Sequence, residues 1–165
     1  MDTIFTRTSI RQFEERAVEQ EKIHRLLKAA FAAPSAGNQQ PWEFYIVTNK
    51  DKLSALANAS PYATPAENAP AALVICFRKE QLRFPEYADI DCAIATENVL
   101  LELEALELGG VMLGISPHED RMEAVRKVLE LPENLAAFTI VPFGYPKKKQ
   151  PQKDRYDESR VHYVK

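Results

Sequence analysis

The residues best suited to bind an anion lie near the start of the chain, in the stretch TRTSIRQF at Thr6–Phe13. Arg7 and Arg11 are four residues apart, and the hydroxyl groups of Thr8 and Ser9 lie between them. If this stretch is helical, the spacing brings the two guanidinium groups to one face of a turn. Guanidinium and hydroxyl groups give a phosphate charge-assisted, often bidentate hydrogen bonds. The alternative is a solvated basic terminus that holds a few surface ion pairs.

A second informative stretch is the loop Pro34–Trp42, with the sequence PSAGNQQPW. It contains two prolines that fix its ends, and Gly37 permits backbone conformations that other residues avoid. Asn38 and Gln39 add side-chain amides, which both donate and accept hydrogen bonds. Such a loop can present backbone N–H groups and amides to a planar heterocycle. The alternative is an ordinary connection between a helix and a strand, built from common turn residues.

The C-terminal tail, Tyr145–Lys165, is rich in cations and has too few apolar residues to form a core of its own. In an extended backbone, the alternate positions of Lys153 and Arg155 direct both cations to the same side. The tail ends in VHYV at Val161–Val164, and these β-branched and aromatic residues favour an arm that docks on another surface. The alternative is a disordered, charged tail.

Composition indicates an ordinary globular protein. A chain of 165 residues is long enough for one domain with a core and too short for two, so we expect a single domain over residues 1–165. Hydrophobic residues make up 45% and charged residues 27% of the chain, which is typical of globular domains. The net charge of -3 gives no overall bias toward nucleic acid, so we expect no nucleic-acid partner.

The two cysteines, Cys76 and Cys92, are far apart and form no Cys-x-x-Cys or Cys/His cluster. We therefore expect buried, reduced thiols of a cytoplasmic protein and no metal site. The N-terminus does not resemble a signal peptide, and no run reaches the roughly 18 apolar residues of a membrane span. Neither His118 nor His162 has a sequence neighbour that suggests catalysis, so no catalytic side chain is predicted.

Hydrophobic periodicity predicts the elements that must position these residues. The predicted helices are Met1–Thr8, Glu19–Ala33, Asp51–Asn58, Asp89–Leu108 and Ser116–Leu129. The predicted strands are Glu43–Thr48, Ala71–Phe77, Val111–Ile115 and Leu135–Gly144. The pair Gly109-Gly110 is the expected glycine stop of the longest helix. Apolar residues cover more than one face of that helix, which favours a subunit interface over the core of a larger protein.

Taken in order, these stretches resemble the FMN-dependent nitroreductase family, and especially its short members. The resemblance covers essentially the whole chain and rests on RTSIRQF, APSAGNQQPWEFYIV, DCAIATENVLLELEALELGGVMLGI and GYP…KDR…VHY. It implies an α+β fold with a mixed, mostly antiparallel sheet flanked by helices. It also implies an intertwined homodimer, in which the arm of about residues 145–165 reaches over the partner subunit.

The resemblance further implies which residues bind FMN. The phosphate and ribityl chain would be held by Arg7, Thr8, Ser9, Arg11, Lys153 and Arg155. The other subunit would contribute Pro34, Ser35, Ala36, Asn38 and Gln39. Leu113 and Gly114 would place backbone N–H groups near the reactive nitrogen of the flavin. Longer members carry an asparagine and a lysine near the pyrimidine edge of the flavin, where this chain has Tyr62 and Pro65.

The activity that the resemblance implies is an NAD(P)H oxidoreductase with a ping-pong cycle. NADH or NADPH would reduce the flavin and leave, and a nitroaromatic, a quinone or a similar small-molecule acceptor would then be reduced. Three alternatives remain open. They are a flavin-binding or storage protein, a different flavin reaction on the same scaffold, and a nucleic-acid or partner-binding module that uses Lys147–Lys149.

Overall fold

The computed structural model describes residues 2–165, so Met1, which belongs to the first predicted helix, lies outside the described residues. The helices are α1 (Thr3–Thr6), α2 (Gln20–Phe31), α3 (Lys50–Ala57), α4 (Ala88–Ala105) and α5 (Glu119–Leu129). The strands are β1 (Trp42–Val47), β2 (Ala71–Arg78), β3 (Gly109–Gly110), β4 (Leu113–Gly114) and β5 (Leu135–Gly144). Between Asp2 and Lys165, no helix is long and apolar enough to cross a membrane.

The strands form one sheet in the order β1-β2-β5-β3, and β4 also pairs with β5. Every pairing between these named strands is antiparallel. A parallel bridge joins Ser9 to Gly110 and supplies the parallel component. The prediction of an α+β fold with a mixed, mostly antiparallel sheet is therefore confirmed.

Both faces of the two central strands are buried. On β2, Leu73 and Ile75 pack in one core with residues of α2 and α4. Val74 and Cys76, which alternate with them, pack in a second core with residues of α3 and α5. Side chains alternate between the two faces of a strand, so a strand covered on both faces must be apolar throughout. This requirement explains the nearly continuous apolar run of β2.

The end of α4 differs from the prediction. The helix stops at Ala105, and Glu107 takes the left-handed conformation with a φ of 60°. The glycine stop predicted at Gly109 is therefore wrong, because Gly109 belongs to β3 and serves a different purpose. A Cβ atom on Gly109 would lie 2.8 Å from Cβ of Ile10, so only glycine lets the N-terminal segment pack against this backbone.

The N-terminal segment is also less helical than predicted. The helix α1 ends at Thr6, and Arg7 follows it with extended backbone angles (φ -60°, ψ 130°). Arg7 and Arg11 therefore do not share a helical turn, and that prediction is wrong. Ile10 is buried beside β3, so the segment runs along β3 in an extended conformation instead of forming a helix. In an extended segment alternate side chains share a side, so we still expect Arg7, Ser9 and Arg11 to face the same way.

Candidate functional site

The two ends of the chain run alongside each other. The backbone N–H of Glu14 donates to the carbonyl of Tyr145 over 2.8 Å. Farther along, the side-chain amide of Gln152 donates to the carbonyls of Ile4 (2.9 Å) and Arg7 (3.2 Å). The tail is thus attached to the N-terminal segment both at its root and beside the predicted phosphate ligands.

Tyr145 fixes the root of the tail. Its hydroxyl donates to Glu19 Oε2 over 2.7 Å and accepts from Lys22 Nζ over 3.0 Å. The Arg16 guanidinium lies 3.7 Å from the centre of the Tyr145 ring. The hydrogen bond from Tyr145, together with a backbone hydrogen bond and Arg16, lowers the pKa of Glu19 from 4.5 to about 2. Because this pKa is depressed, the contacts stabilise the fold above pH 4.5, and the benefit is lost as the pH falls toward about 2.

Most of the predicted phosphate-binding cations have no carboxylate partner. Arg7 Nε lies 3.9 Å from Glu97 Oε1, a distance at the outer limit of an ion pair. In the part of the chain that the structure describes, Arg11, Lys153 and Arg155 form no ion pair. A groove of about 580 Å³ opens between α1 and the tail at Lys153 and Arg155. The binding of one phosphate by all four cations stays a prediction.

The two predicted hydroxyl ligands lie on the segment between Arg7 and Arg11. Thr8 is half-buried, and Ser9 is exposed. The backbone of this segment is fixed by the hydrogen bond from the N–H of Ile10 to the carbonyl of Gly110, over 2.9 Å. The predicted phosphate ligands at this end of the chain are therefore carried by an anchored backbone.

The loop Pro34–Trp42 has a strained backbone. Gly37, Asn38 and Gln40 all have positive φ angles, of 53°, 55° and 46°. A Cβ atom on Gly37 would lie 2.7 Å from the ring of Phe84, so any side chain there would require the ring to move. Positive φ angles outside glycine persist only where the surrounding structure holds them, and they concentrate at functional sites.

A buried carboxylate on α4 holds this loop. Asp91 is 2% exposed, and its two oxygens accept from the Ala36 N–H (2.9 Å) and the Gln39 side-chain amide (2.8 Å). The same amide of Gln39 bonds both the N–H and the carbonyl of Phe84, each over 2.9 Å. A carboxylate is stable in such a buried position only when it is hydrogen-bonded in this way.

A guanidinium group holds the other side of the loop. Arg78 Nη2 donates to the carbonyls of Gln39 (3.2 Å) and Gln40 (3.0 Å). Neither Arg78 nor Asp91 is among the residues predicted from the sequence. A charge at the end of a strand and an acidic residue in the first turn of a helix are both common, so neither pattern indicates this role.

The expectation that the loop presents backbone N–H groups is wrong at several positions. The N–H groups already bonded within the chain are those of Ala36, Asn38, Gln39 and Gln40. Buried backbone donors need partners, and the tight turn supplies them internally. The loop therefore offers its outer surface instead, with Pro34 and Asn38 exposed and Ser35 half-buried.

The predicted flavin-edge residues, Leu113 and Gly114, pair with Ile140 and Thr139 of β5. Leu113 is buried, and its carbonyl accepts from the Thr139 hydroxyl over 2.7 Å. Gly114 is exposed, and a Cβ atom placed on it would meet no atom within 4 Å. Gly114 therefore leaves room for the close approach of another group, and its role at the flavin stays a prediction.

Within one chain, the loop and the cations lie on different sides of α4. Asp91 contacts the loop, and Glu97 contacts Arg7. The interval from 91 to 97 is about one and two-thirds helical turns, so the two side chains point about 120° apart. The chain thus brings Arg7 and the tail together and leaves the loop on another face of α4.

The described residues contain no group of three or more His, Cys, Asp or Glu residues placed to hold a metal ion. Cys76 and Cys92 are buried, free thiols. Burial raises the pKa of Cys76 to about 12 and raises the pKa of Cys92 as well. A thiol with a raised pKa stays protonated near neutral pH, so neither cysteine is a candidate nucleophile.

Comparisons with known proteins identify the family and the fold. The model of the Nitroreductase family matches residues 4–72 and 61–145. One relative is an Archaeoglobus fulgidus protein to which the activity of an NADH dehydrogenase/NAD(P)H nitroreductase is assigned by inference. It is 40% identical, and the match covers 98% of this chain and 95% of the relative. A crystal structure of a Clostridium acetobutylicum protein, to which the activity of an NADH oxidase is assigned by inference, matches with a TM-score of 0.96. The identity is 41%, and the match covers 99% of both chains. An FMN-dependent nitroreductase from Clostridium difficile R20291 matches with a TM-score of 0.92 and 27% identity, over 99% of this chain and 98% of its own.

Proposed function

The chain belongs to the nitroreductase family, and from this premise we propose that it is an FMN-dependent oxidoreductase with NADH or NADPH as its electron donor. The family membership predicted from the sequence is confirmed. The chemistry that bound FMN would supply is hydride transfer from NADH or NADPH, followed by two-electron reduction of a nitroaromatic, quinone or similar acceptor in a ping-pong cycle.

The residues present fit this cofactor. Its phosphate needs uncompensated cations, and Arg11, Lys153 and Arg155 form no ion pair among residues 2–165. Its flat ring needs a backbone that it can approach closely, and Gly114 has an open face. The uncompensated cations at the joined chain ends are the observation that carries the proposal, because an anion would be drawn to them.

Each group of residues has one task in this proposal. The phosphate is bound by the cations of the joined chain ends and by the hydroxyls of Thr8 and Ser9. The loop Pro34–Trp42, held rigid by Asp91 and Arg78, offers Pro34, Ser35, Ala36, Asn38 and Gln39 to the ring. Leu113 and Gly114 direct backbone groups toward the reactive edge. No side chain takes part covalently, so binding and orientation are what the protein supplies.

We also propose a homodimer in which each FMN site uses both subunits. The separation of the loop and the cations on α4 supports this arrangement, since one chain does not bring them together. Ile90 on the apolar helix α4 is 53% exposed, which indicates a face that a second copy covers. The edge strand β1 and the exposed end of the tail, with Tyr163 80% exposed, support an exchange of arms.

We place the enzyme in the cytoplasm, and the free thiols of Cys76 and Cys92 support this location. The proposal involves no nucleic-acid, metal or membrane partner.

The purified protein tests the function directly. We expect a yellow dimer whose flavin absorbance is bleached by NADH or NADPH under anaerobic conditions and returns when a quinone or nitroaromatic is added. Stopped-flow spectroscopy with each nicotinamide, followed by a panel of oxidants, measures both half-reactions. A colourless protein that takes up no added FMN would refute the proposal. A protein that binds FMN without being reduced by either nicotinamide would be a flavin-binding protein instead.

A further inference from the structure

An arginine outside the predicted site lies directly beside Gly114. Arg121, near the start of α5, donates from Nη1 to the Gly114 carbonyl over 3.2 Å. Its guanidinium carbon lies 5.7 Å from the centre of the Tyr62 ring, within the range of a cation–π contact. Arg121 thus connects the open glycine of β4 with an aromatic side chain from a different part of the chain.

The positive charge of Arg121 is not neutralised by the protein that the structure describes. Arg121 forms no ion pair there, and the positions three and four residues away on α5 carry no carboxylate. Glu123, the nearest acidic residue toward the C-terminus, is bound by Arg126 over 2.6 Å and by Lys127 over 3.7 Å. Arginine has five N–H donors, and a carbonyl can use only part of that capacity.

The outer side of β4, whose Gly114 carbonyl Arg121 contacts, is uncovered. Residues 111, 113 and 115 are buried, whereas Met112 and Gly114 face outward with the alternation of the strand. Met112 is 40% exposed and Tyr62 is 72% exposed, which is high for side chains of this size. The patch therefore combines a flat aromatic ring, an apolar side chain and an open backbone with one unpaired cation.

We propose that Arg121 and Tyr62 form a subsite for aromatic electron acceptors that carry a negative group. Arg121 pairs with the carboxylate or sulfonate of the acceptor, and Tyr62 stacks on its ring. This subsite deepens the proposed function and rests on it, because Gly114 is where the reactive edge of the cofactor is expected. The phosphate of FMN is bound elsewhere, by the joined chain ends, so the guanidinium remains available to the second substrate.

The test compares two acceptors of nearly the same shape, 4-nitrobenzoate and 4-nitrobenzamide, which differ in charge. We expect Arg121→Gln to lower the affinity for 4-nitrobenzoate about tenfold, because one charge-assisted contact is lost. The affinity for 4-nitrobenzamide should change less than about twofold. Arg121→Lys should retain part of the affinity for 4-nitrobenzoate, and Tyr62→Ala should lower the affinity for both acceptors. Calorimetric binding to the FMN-loaded protein and the KM of each acceptor are the two measurements.

Arg126→Gln is the matched control, because Arg126 lies on the same helix and is engaged by Glu123. This variant should leave the affinity and the KM for both acceptors unchanged. Equal changes for the charged and the neutral acceptor in Arg121→Gln, or a loss of FMN affinity, would overturn the subsite. Calorimetry also separates this proposal from the function. Binding of 4-nitrobenzoate that depends on Arg121, in a protein that NADH and NADPH do not reduce, would retain the subsite and reject the oxidoreductase.

Discussion

Replacing Arg155 with alanine is expected to weaken FMN binding by roughly ten- to a hundredfold and to leave the fold intact. The expected loss corresponds to one or two charge-assisted hydrogen bonds to the phosphate, at about 1.5–3 kcal/mol each. Arg155 is exposed and forms no ion pair in residues 2–165, so its removal leaves no buried group unsatisfied. Fluorescence titration of the apoprotein with FMN measures the affinity, and circular dichroism and gel filtration check fold and assembly.

The matched control for Arg155 is Arg160→Ala, which removes an equally exposed cation farther along the same tail. Its FMN affinity should stay within about twofold of the wild type, because non-specific attraction by an exposed charge is small. An unchanged FMN affinity in Arg155→Ala would remove the tail from the site. Equal losses in both variants would mean that the tail attracts FMN through its overall charge.

Replacing Asp91 with alanine is expected to have the largest effect on stability, about 2–4 kcal/mol less free energy of unfolding. The change leaves the Ala36 N–H without its acceptor and the Gln39 amide with only the Phe84 carbonyl, and each donor left unsatisfied away from water costs about 1–3 kcal/mol. For a domain of this size the melting temperature should fall by roughly 5–15 °C. FMN affinity should fall as well, because the strained loop is released from the shape that faces the ring.

Asp89→Ala is the control for Asp91, since Asp89 lies on the same turn of α4 and accepts only from the Ser116 hydroxyl, over 3.1 and 3.2 Å. We expect it to cost less than about 1.5 kcal/mol and to leave FMN binding unchanged. Equal costs for the two alanine variants would show that Asp91 has no special role in holding the loop.

Exchanging the amide and the carboxylate between positions 39 and 91 tests whether the hydrogen bond between Asp91 and Gln39 holds the loop for FMN binding. In Asp91→Asn, an amide faces the amide of Gln39, and two donors oppose each other. Adding Gln39→Glu restores one donor and one acceptor between the two side chains, although it gives up the hydrogen bond from the Gln39 amide to the Phe84 carbonyl. FMN affinity in the double variant should therefore recover in part from the level of Asp91→Asn and should exceed that of Gln39→Glu alone. Losses that simply add in the double variant would argue against a direct role of the contact between Asp91 and Gln39.

The central architecture is predictable because its strands are covered on both faces. An apolar run such as Ala71–Phe77 has few other possible environments, and the helices beside it show clear periodicity. The prediction failed where a distant contact decides the local conformation. The extended backbone at Arg7 and the role of Gly109 both depend on the burial of Ile10, which a local pattern does not reveal.

The residues of the candidate site also fall into two groups, those that a local sequence pattern indicates and those whose roles depend on distant contacts. The sequence singles out Arg7, Arg11, Lys153 and Arg155 as candidates because cations near hydroxyls suit a phosphate, and the family resemblance joins them in one predicted site. The residues that hold or extend the site, Asp91, Arg78 and Arg121, act through partners from 7 to 59 positions away. Their roles depend on which segments the fold brings together, and no spacing within one element encodes that information.

The central claim is that both ends of the chain bind one phosphate, and FMN differs from riboflavin by that phosphate alone. The most direct measurement is therefore the ratio of the dissociation constants for riboflavin and FMN in the wild type and in the double variant Arg7→Gln/Arg155→Gln. We predict that the wild type prefers FMN by at least about a hundredfold, and that the double variant loses most of this preference while its riboflavin affinity stays constant. Equal affinity of the wild type for FMN and riboflavin would contradict the claim.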